Sequence, residues 1–340
     1  MTPTAVGVAA FVIILAGIKL AGSVMNPLLM ALFISIICAQ QVSWMKNRNV
    51  PSGLAVLLVI LGILVAYFGL NWLVGSSLSY FLRDITKFQE SLNDIRDSAG
   101  RFFTDRGINI AVFGGGGSLD PAKVMEHTRT AITYIREMVS REMTLVFLTL
   151  FLVSEVEVLR LKFKVIAKGS DTTIEYIQTI GKSIRHYLSI KTFTSLATGV
   201  IVGLSLAIIG VDYAILWGVM AFFLNYIPTI GSIIAAIPGI TFSLIQLGFP
   251  TTYWTIGVYI FVNVVIGSIL DPKMMGKGLG LSTSVVFFGL LFWGFILGPV
   301  GMFLSVPITM TIKIILKMNP RTQWIATLLG TKEDTLKALE

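Results

Sequence analysis

Two long stretches of this chain are almost free of charge. Residues 1–82 carry only Lys19, Lys46 and Arg48, and residues 192–312 carry only Asp212, Asp271, Lys273 and Lys277. A soluble domain, with about 25% charged residues, cannot be built from segments like these. In lipid a chain must satisfy its own backbone, which leaves helices or closed barrels. Apolar runs approaching or exceeding about 20 residues point to helices. The expected fold is an all-α polytopic membrane protein with about eight transmembrane segments.

Runs at residues 5–25 and 28–44 supply two spans, with Asn26-Pro27 as the break between them. The first run lacks a basic leading region and is followed at once by another, so it reads as a retained span rather than a signal peptide. A long third span starts at Pro51 and runs to residue 82. The apolar run 143–154 is short and must borrow residues on either side. Further segments fall at 192–210, 213–247, 253–270 and 281–312.

Residues 83–142 differ in kind, with nine basic and nine acidic side chains. Phe81, Ile85, Phe88, Leu92, Ile95, Ala99 and Phe102 recur at alternating spacings of four and three, an apolar seam of the coiled-coil type. A glycine run at 114–117 breaks the chain, and Asp120-Pro121 opens a second helix. The segment reads as an extramembrane helical hairpin. Basic clusters at Lys46/Arg48, 160–191 and Lys313/Lys317/Arg321 mark cytoplasmic sides. Both termini are then inside and the hairpin outside, and residues 171–191 form a helix along the inner surface.

Several function classes are excluded. One cysteine and two histidines make a metal site improbable. His127 and His186 fall on amphipathic helices outside the bilayer, with no partner acid at catalytic spacing. Neither nucleophile–base nor nucleotide-binding motifs occur, so the expectation is no enzyme, no cofactor and no metal. The net charge of +8 sits beside spans rather than in a nucleic-acid surface. Trp217, Trp254, Trp293 and Trp324 fit interface anchors.

The segments 213–247 and 281–312 are each too long for one plain helix, and each carries two prolines. Asn225-Tyr-Ile-Pro228-Thr-Ile-Gly231 is followed seven residues on by Pro238, and Gly298-Pro299-Val-Gly301 is followed six residues on by Pro307. Each proline removes a backbone donor, and broken helices survive in lipid only against protein or a polar cavity. Paired interruptions of this kind mark substrate sites, so both segments are expected to be broken or re-entrant helical hairpins. Their ends would offer free backbone groups to a small polar solute or ion.

Asn225, Pro228, Thr229, Gly231, Asn263, Asp271, Pro272, Gly298, Pro299, Gly301 and Pro307 are the candidate binding or hinge positions. Pro272 is expected to turn the chain away from the preceding helix. A charge at the bilayer centre costs about 2.5–3.5 kcal/mol on insertion scales, so Asp271 faces an interface or something polar. Asp271 and Glu155 are the candidate ion or proton carriers. A channel would need a polar stripe along one helix, and none is evident. An envelope-assembly protein acting through the external hairpin is the other rival.

The motifs Gly210-Val-Asp-Tyr-Ala214, Asn225-Tyr-Ile-Pro-Thr-Ile-Gly231, Ile237-Pro-Gly239, Asp271-Pro-Lys-Met-Met-Gly276, Gly280-Leu-Ser-Thr283, Phe292-Trp-Gly-Phe-Ile-Leu-Gly-Pro-Val-Gly301 and Ser305-Val-Pro-Ile-Thr309 together resemble the autoinducer-2 exporter (AI-2E) family of bacterial inner-membrane permeases. The likeness spans the whole layout and is motif-specific over residues 192–313. It implies export of the quorum-sensing furanone autoinducer-2 or, in some members, sodium(lithium)/proton antiport. It also implies a homo-oligomer, pentameric, with an elevator-like moving part. The resulting layout is a scaffold at 1–82, the extramembrane hairpin at 83–142, a span plus cytoplasmic-surface helix at 143–191, a transport core at 192–316 and a cytoplasmic tail at 317–340. The partners implied are a small polar solute, sodium or protons, and membrane lipid.

Overall fold

A computed structural model describes residues 3–73, 75–77, 126, 130, 143–166, 171–275 and 280–331. The hairpin expected at 83–142, the seam from Phe81 to Phe102, His127 and most of the 317–340 tail lie outside the described residues. Among those described, all regular structure is helical. The helices are α1 (Pro3–Leu20), α2 (Gly22–Lys46), α3 (Ser52–Ser77), α4 (Met143–Ile166), α5 (Asp171–Ile209), α6 (Ala214–Leu224), α7 (Ile230–Leu247), α8 (Phe249–Val262), α9 (Asp271–Met275), α10 (Thr283–Leu297), α11 (Pro299–Met318) and α12 (Gln323–Leu328). A π-helical stretch, Asn263–Leu270, joins α8 to α9. Six helical stretches are long and apolar enough to cross a membrane, and Met143–Glu155, Ala214–Leu224 and Thr283–Leu297 are shorter apolar helices.

Three local expectations are corrected. The first break falls at Ala21 and not at Asn26-Pro27: Pro27 lies inside α2, where the Asn26 side chain reaches across to Leu297 O at 3.1 Å. The surface helix and the following span are one 39-residue helix, α5. At 1.5 Å per residue it is about 58 Å long, well beyond the hydrocarbon thickness. Pro272 does not turn the chain away either, since Phe249–Met275 is continuous. There Asp271 N bonds to Ile266 O, five residues back. The register has thus shifted to the π type just before Pro272 withholds its donor.

α5 and α6 form the tightest pairing, and small residues make it. A Cβ on Gly199 would lie 2.8 Å from Gly218 O, and one on Gly218 would lie 2.7 Å from Gly199 O. Backbones this close gain dispersion contacts in lipid, where helix association has no hydrophobic drive. Around this seam lies the main core, including Val202, Leu206, Leu216, Trp217, Phe242 and Ile266. Trp217 is wholly buried and its Nε1 donates to Asp212 O at 3.0 Å, so it is a core residue and not an interface anchor. Trp254 and Trp324 stay exposed. A second cluster joins Phe33 of α2, Tyr187 and Leu188 of α5, Tyr226, and Leu304 and Met310 of α11.

Candidate functional site

Both proline-bearing segments are helix–break–helix units with a shared local design. In the first, α6 ends at Leu224 and α7 begins at Ile230, with Thr229 between them at φ 62° and ψ −53°. A β-branched residue at positive φ is strained. In the second, Gly298 at φ 67° separates α10 from α11. The glycine just inside each second helix sits on a carbonyl of the first. A Cβ on Gly231 would fall 1.7 Å from Leu224 O, and one on Gly301 would fall 1.9 Å from Trp293 O. Pro238 and Pro307 lie within the second helices. At 11 residues, α6 is about 16 Å long, too short to cross the hydrocarbon core.

The first break faces a buried polar strip. On α5, Lys191, Thr194, Ser195 and Thr198 follow the spacing of one helix face, and all four are buried. Opposite them runs the stretch from Asn263 to Asp271. Lys191 Nζ meets Asp271 Oδ2 at 2.6 Å, and both residues are more than nine-tenths buried. Asp271 Oδ1 has no hydrogen-bond partner among the described residues. Two charges withdrawn from water lose several kcal/mol of hydration each, and in a membrane such residues mark ion or substrate paths.

Seven residues along α5, about 10 Å, the strip ends in a small cavity. Its volume is about 10 Å³, near the size of one water. Thr198, Asn225, Ser232, Tyr259 and Asn263 supply its polar lining. Asn225 Nδ2 donates to Ser195 Oγ at 3.0 Å, and Ser232 Oγ donates to Asn263 Oδ1 at 3.0 Å. Thr198 Oγ1 and Tyr259 OH are buried without partners among the described residues. Lys191 pairs with Asp271 at one end while Thr198 shares the cavity with Asn263 at the other, so the two helices run antiparallel.

The candidate residues therefore divide. Asn225 and Asn263 meet in the cavity; Asp271 closes the far end of the strip, with Pro272 behind it. Pro228, Thr229 and Gly231 form the first break, where Ile230 N bonds to Pro228 O. Gly298, Pro299 and Gly301 form the second break and do not line the cavity. The two units touch through Phe303 of α11, which stacks on Tyr226 at 4.4 Å and 21°. Tyr226 OH in turn donates to Thr192 Oγ1 at 2.9 Å. Pro307 is buried one turn beyond Phe303. Glu155 stands apart, about half exposed and paired with Lys162 at 2.9 Å. Among the described residues no group of three or more acids, histidines or cysteines could hold a metal.

Sequence reasoning missed Lys191, Thr198 and Tyr259. In the sequence Lys191 belongs to the cytoplasmic basic cluster, although its spacing to Thr194, Ser195 and Thr198 is a readable signal. That polar stripe also corrects the expectation that no helix carries one.

A profile described as AI-2E family transporter matches residues 8–321. A provisionally named transport protein of Haemophilus influenzae is 39% identical over 342 residues, covering 97% of each chain. The AI-2 transport protein TqsA of Escherichia coli is 38% identical over 319 residues, 94% of this chain and 93% of its own. The provisionally named transport protein YhhT of the same species is 34% identical over 322 residues, 95% and 92% of the two chains.

Proposed function

The chain belongs to the AI-2E transporter family, and on that premise we propose that it is a secondary transporter exporting a small polar molecule, an autoinducer-2-like furanone, across the bacterial inner membrane. The observation that carries the reading is the strip from the Lys191–Asp271 pair to the Asn225–Asn263 cavity. It lies among apolar helices of membrane-spanning length and against a break in the chain. Polar groups held there at a cost to stability are best explained by a cargo that contacts them. The similarity to TqsA, named for AI-2 transport, supports the choice of solute.

Alternating access follows from the two hairpins in this reading. The first hairpin, the Phe249–Met275 helix and the part of α5 from Lys191 onward carry the solute site and move as one unit. The second hairpin bears on it through Phe303 and Tyr226. The N-terminal spans act as the scaffold of a homo-oligomer, pentameric by family resemblance. Both termini are cytoplasmic and 83–142 is external, in keeping with the basic clusters. Sodium(lithium)/proton antiport is the second reading. It is favoured by the carboxylate of Asp271, which is buried, paired on one oxygen and without a partner on the other among the described residues.

Purified protein in proteoliposomes tests this. Counterflow of labelled autoinducer-2 furanone is expected at rates well above those of empty vesicles. Sodium uptake driven by a pH gradient, without furanone counterflow, would transfer the site to antiport. Neither flux would end the transport reading.

A further inference from the structure

The cavity at the end of the strip has a chemistry of its own. Thr198 and Tyr259, 4% and 7% exposed, present hydroxyls with no partner among the described residues. A buried hydroxyl left unpaired costs stability, so these two mark a place where a hydrogen-bonding group belongs. Tyr259 OH packs against Gly239, where a Cβ would leave it no room. The carboxamides of Asn225 and Asn263 are each held at one end, by Ser195 and Ser232. Asn225 thereby keeps its carbonyl, and Asn263 its amino group, for a ligand.

The site's electrostatics select the occupant. Among the described residues no ionised side chain lines the cavity. The C-terminal end of α6, through Ala221 and Asn225, and the N-terminal end of α7, through Ser232 and Ala235, both reach it. Helix ends of opposite sign oppose one another there, so neither an anion nor a cation is favoured. Both donors and acceptors are present around a space near the size of one water. A hydroxyl fits that pattern, since it donates once and accepts up to twice.

We propose that this cavity is the subsite that reads one neutral hydroxyl group of the transported solute, with Thr198 and Tyr259 as its specificity-determining residues. The assignment deepens, and rests on, the transport reading above. Its ligand class is a small, uncharged, polyhydroxylated molecule; the rest of the solute occupies space opened when the hairpin moves. A site that hydrogen-bonds a hydroxyl also discriminates strongly against analogues that lack it.

The test uses the full-length protein in detergent, melted with graded autoinducer-2 furanone, ribose, glycerol, or sodium and lithium chloride. Thr198→Val and Tyr259→Phe remove one hydroxyl each at nearly constant volume. The expected result is that a hydroxylated probe stabilises the wild type and needs about tenfold more concentration to stabilise either variant. The ligand-free melting temperatures should stay level or rise. Identical midpoints in wild type and variants would overturn the subsite, as would stabilisation by the salts alone. A ligand-free loss of several degrees in both variants would make the hydroxyls structural and also overturn it. If no hydroxylated probe stabilises the wild type, the subsite falls whatever the transport data show. Wild-type counterflow is scored separately: absent flux with preserved stabilisation sinks the transport reading, and with it the assignment to a transported solute, and leaves a cavity that binds a hydroxyl.

Discussion

Lys191 Nζ and Asp271 Oδ2 lie 80 residues apart in the chain and 2.6 Å apart in space, in a part of the protein closed to water. Such a pair is poor evidence for stability, because hydrophobic replacements of similar volume are often neutral or better. Removing one partner is different, since it strands the other charge. Lys191→Met or Asp271→Leu alone should therefore lose about 3–5 kcal/mol, while the double variant returns to within about 1 kcal/mol of wild type. Thermal melting of the four proteins in one detergent checks this, and a double variant no better than the worse single would refute it.

Gly231 and Gly301 test the shared design of the two breaks. Alanine at either position drives a Cβ into a backbone carbonyl, at 1.7 Å from Leu224 O or 1.9 Å from Trp293 O. Backbone cannot rotate aside as a side chain can, so the loss should reach the upper end of overpacking costs, about 3 kcal/mol. Gly257, exposed and with open space around it, serves as the control, and Gly257→Ala should change the melting temperature little or raise it. Equal effects at all three positions would dissolve the argument.

Glu155 offers a clean separation of the two candidate carriers. Its partnership with Lys162 is solvent-exposed on both sides, and exposed pairs contribute about 0–1 kcal/mol. Glu155→Gln should keep both the melting temperature and the counterflow rate close to wild type. A large drop in flux would return Glu155 to the site from which the geometry separates it.

How far the molecule was legible depended on what each residue's neighbours in sequence could say. The helical membrane architecture could be read because lipid tolerates few ways of satisfying a backbone, and residues 1–82 and 192–312 carry so few charges. The two breaks could be read because proline and glycine act locally. Asp271 could be singled out as an acid that needed a polar partner, but that partner lies in a distant helix. Lys191 was hidden by company: flanked by Arg185 and other basic residues, it looked like one more cytoplasmic charge. Thr198 and Tyr259 carried no signal of their own, since threonine and tyrosine in apolar runs are ordinary. Only packing shows that both residues line one cavity and that their hydroxyls are buried without partners among the described residues. Trp217 misled for the converse reason, as its buried partner is a backbone carbonyl that no side-chain pattern reveals.

The prolines at the breaks should matter to movement more than to folding. Pro228 lies between α6 and α7, and Pro307 lies inside α11 beyond the Phe303–Tyr226 stack. Alanine restores a backbone donor at each position. Pro228→Ala and Pro307→Ala should melt at or above the wild-type temperature while counterflow falls at least tenfold. Full transport by both would show that the interruptions are not used as hinges.

In the proposed mechanism, polar groups are buried against the broken helix because a solute uses them. The most direct measurement is counterflow of labelled furanone by the Lys191→Met/Asp271→Leu protein in proteoliposomes, scored per folded molecule. The expected result is a well-folded protein whose flux falls at least a hundredfold, to the level of empty vesicles. A double variant that transports at the wild-type rate would contradict it and leave the strip as packing alone.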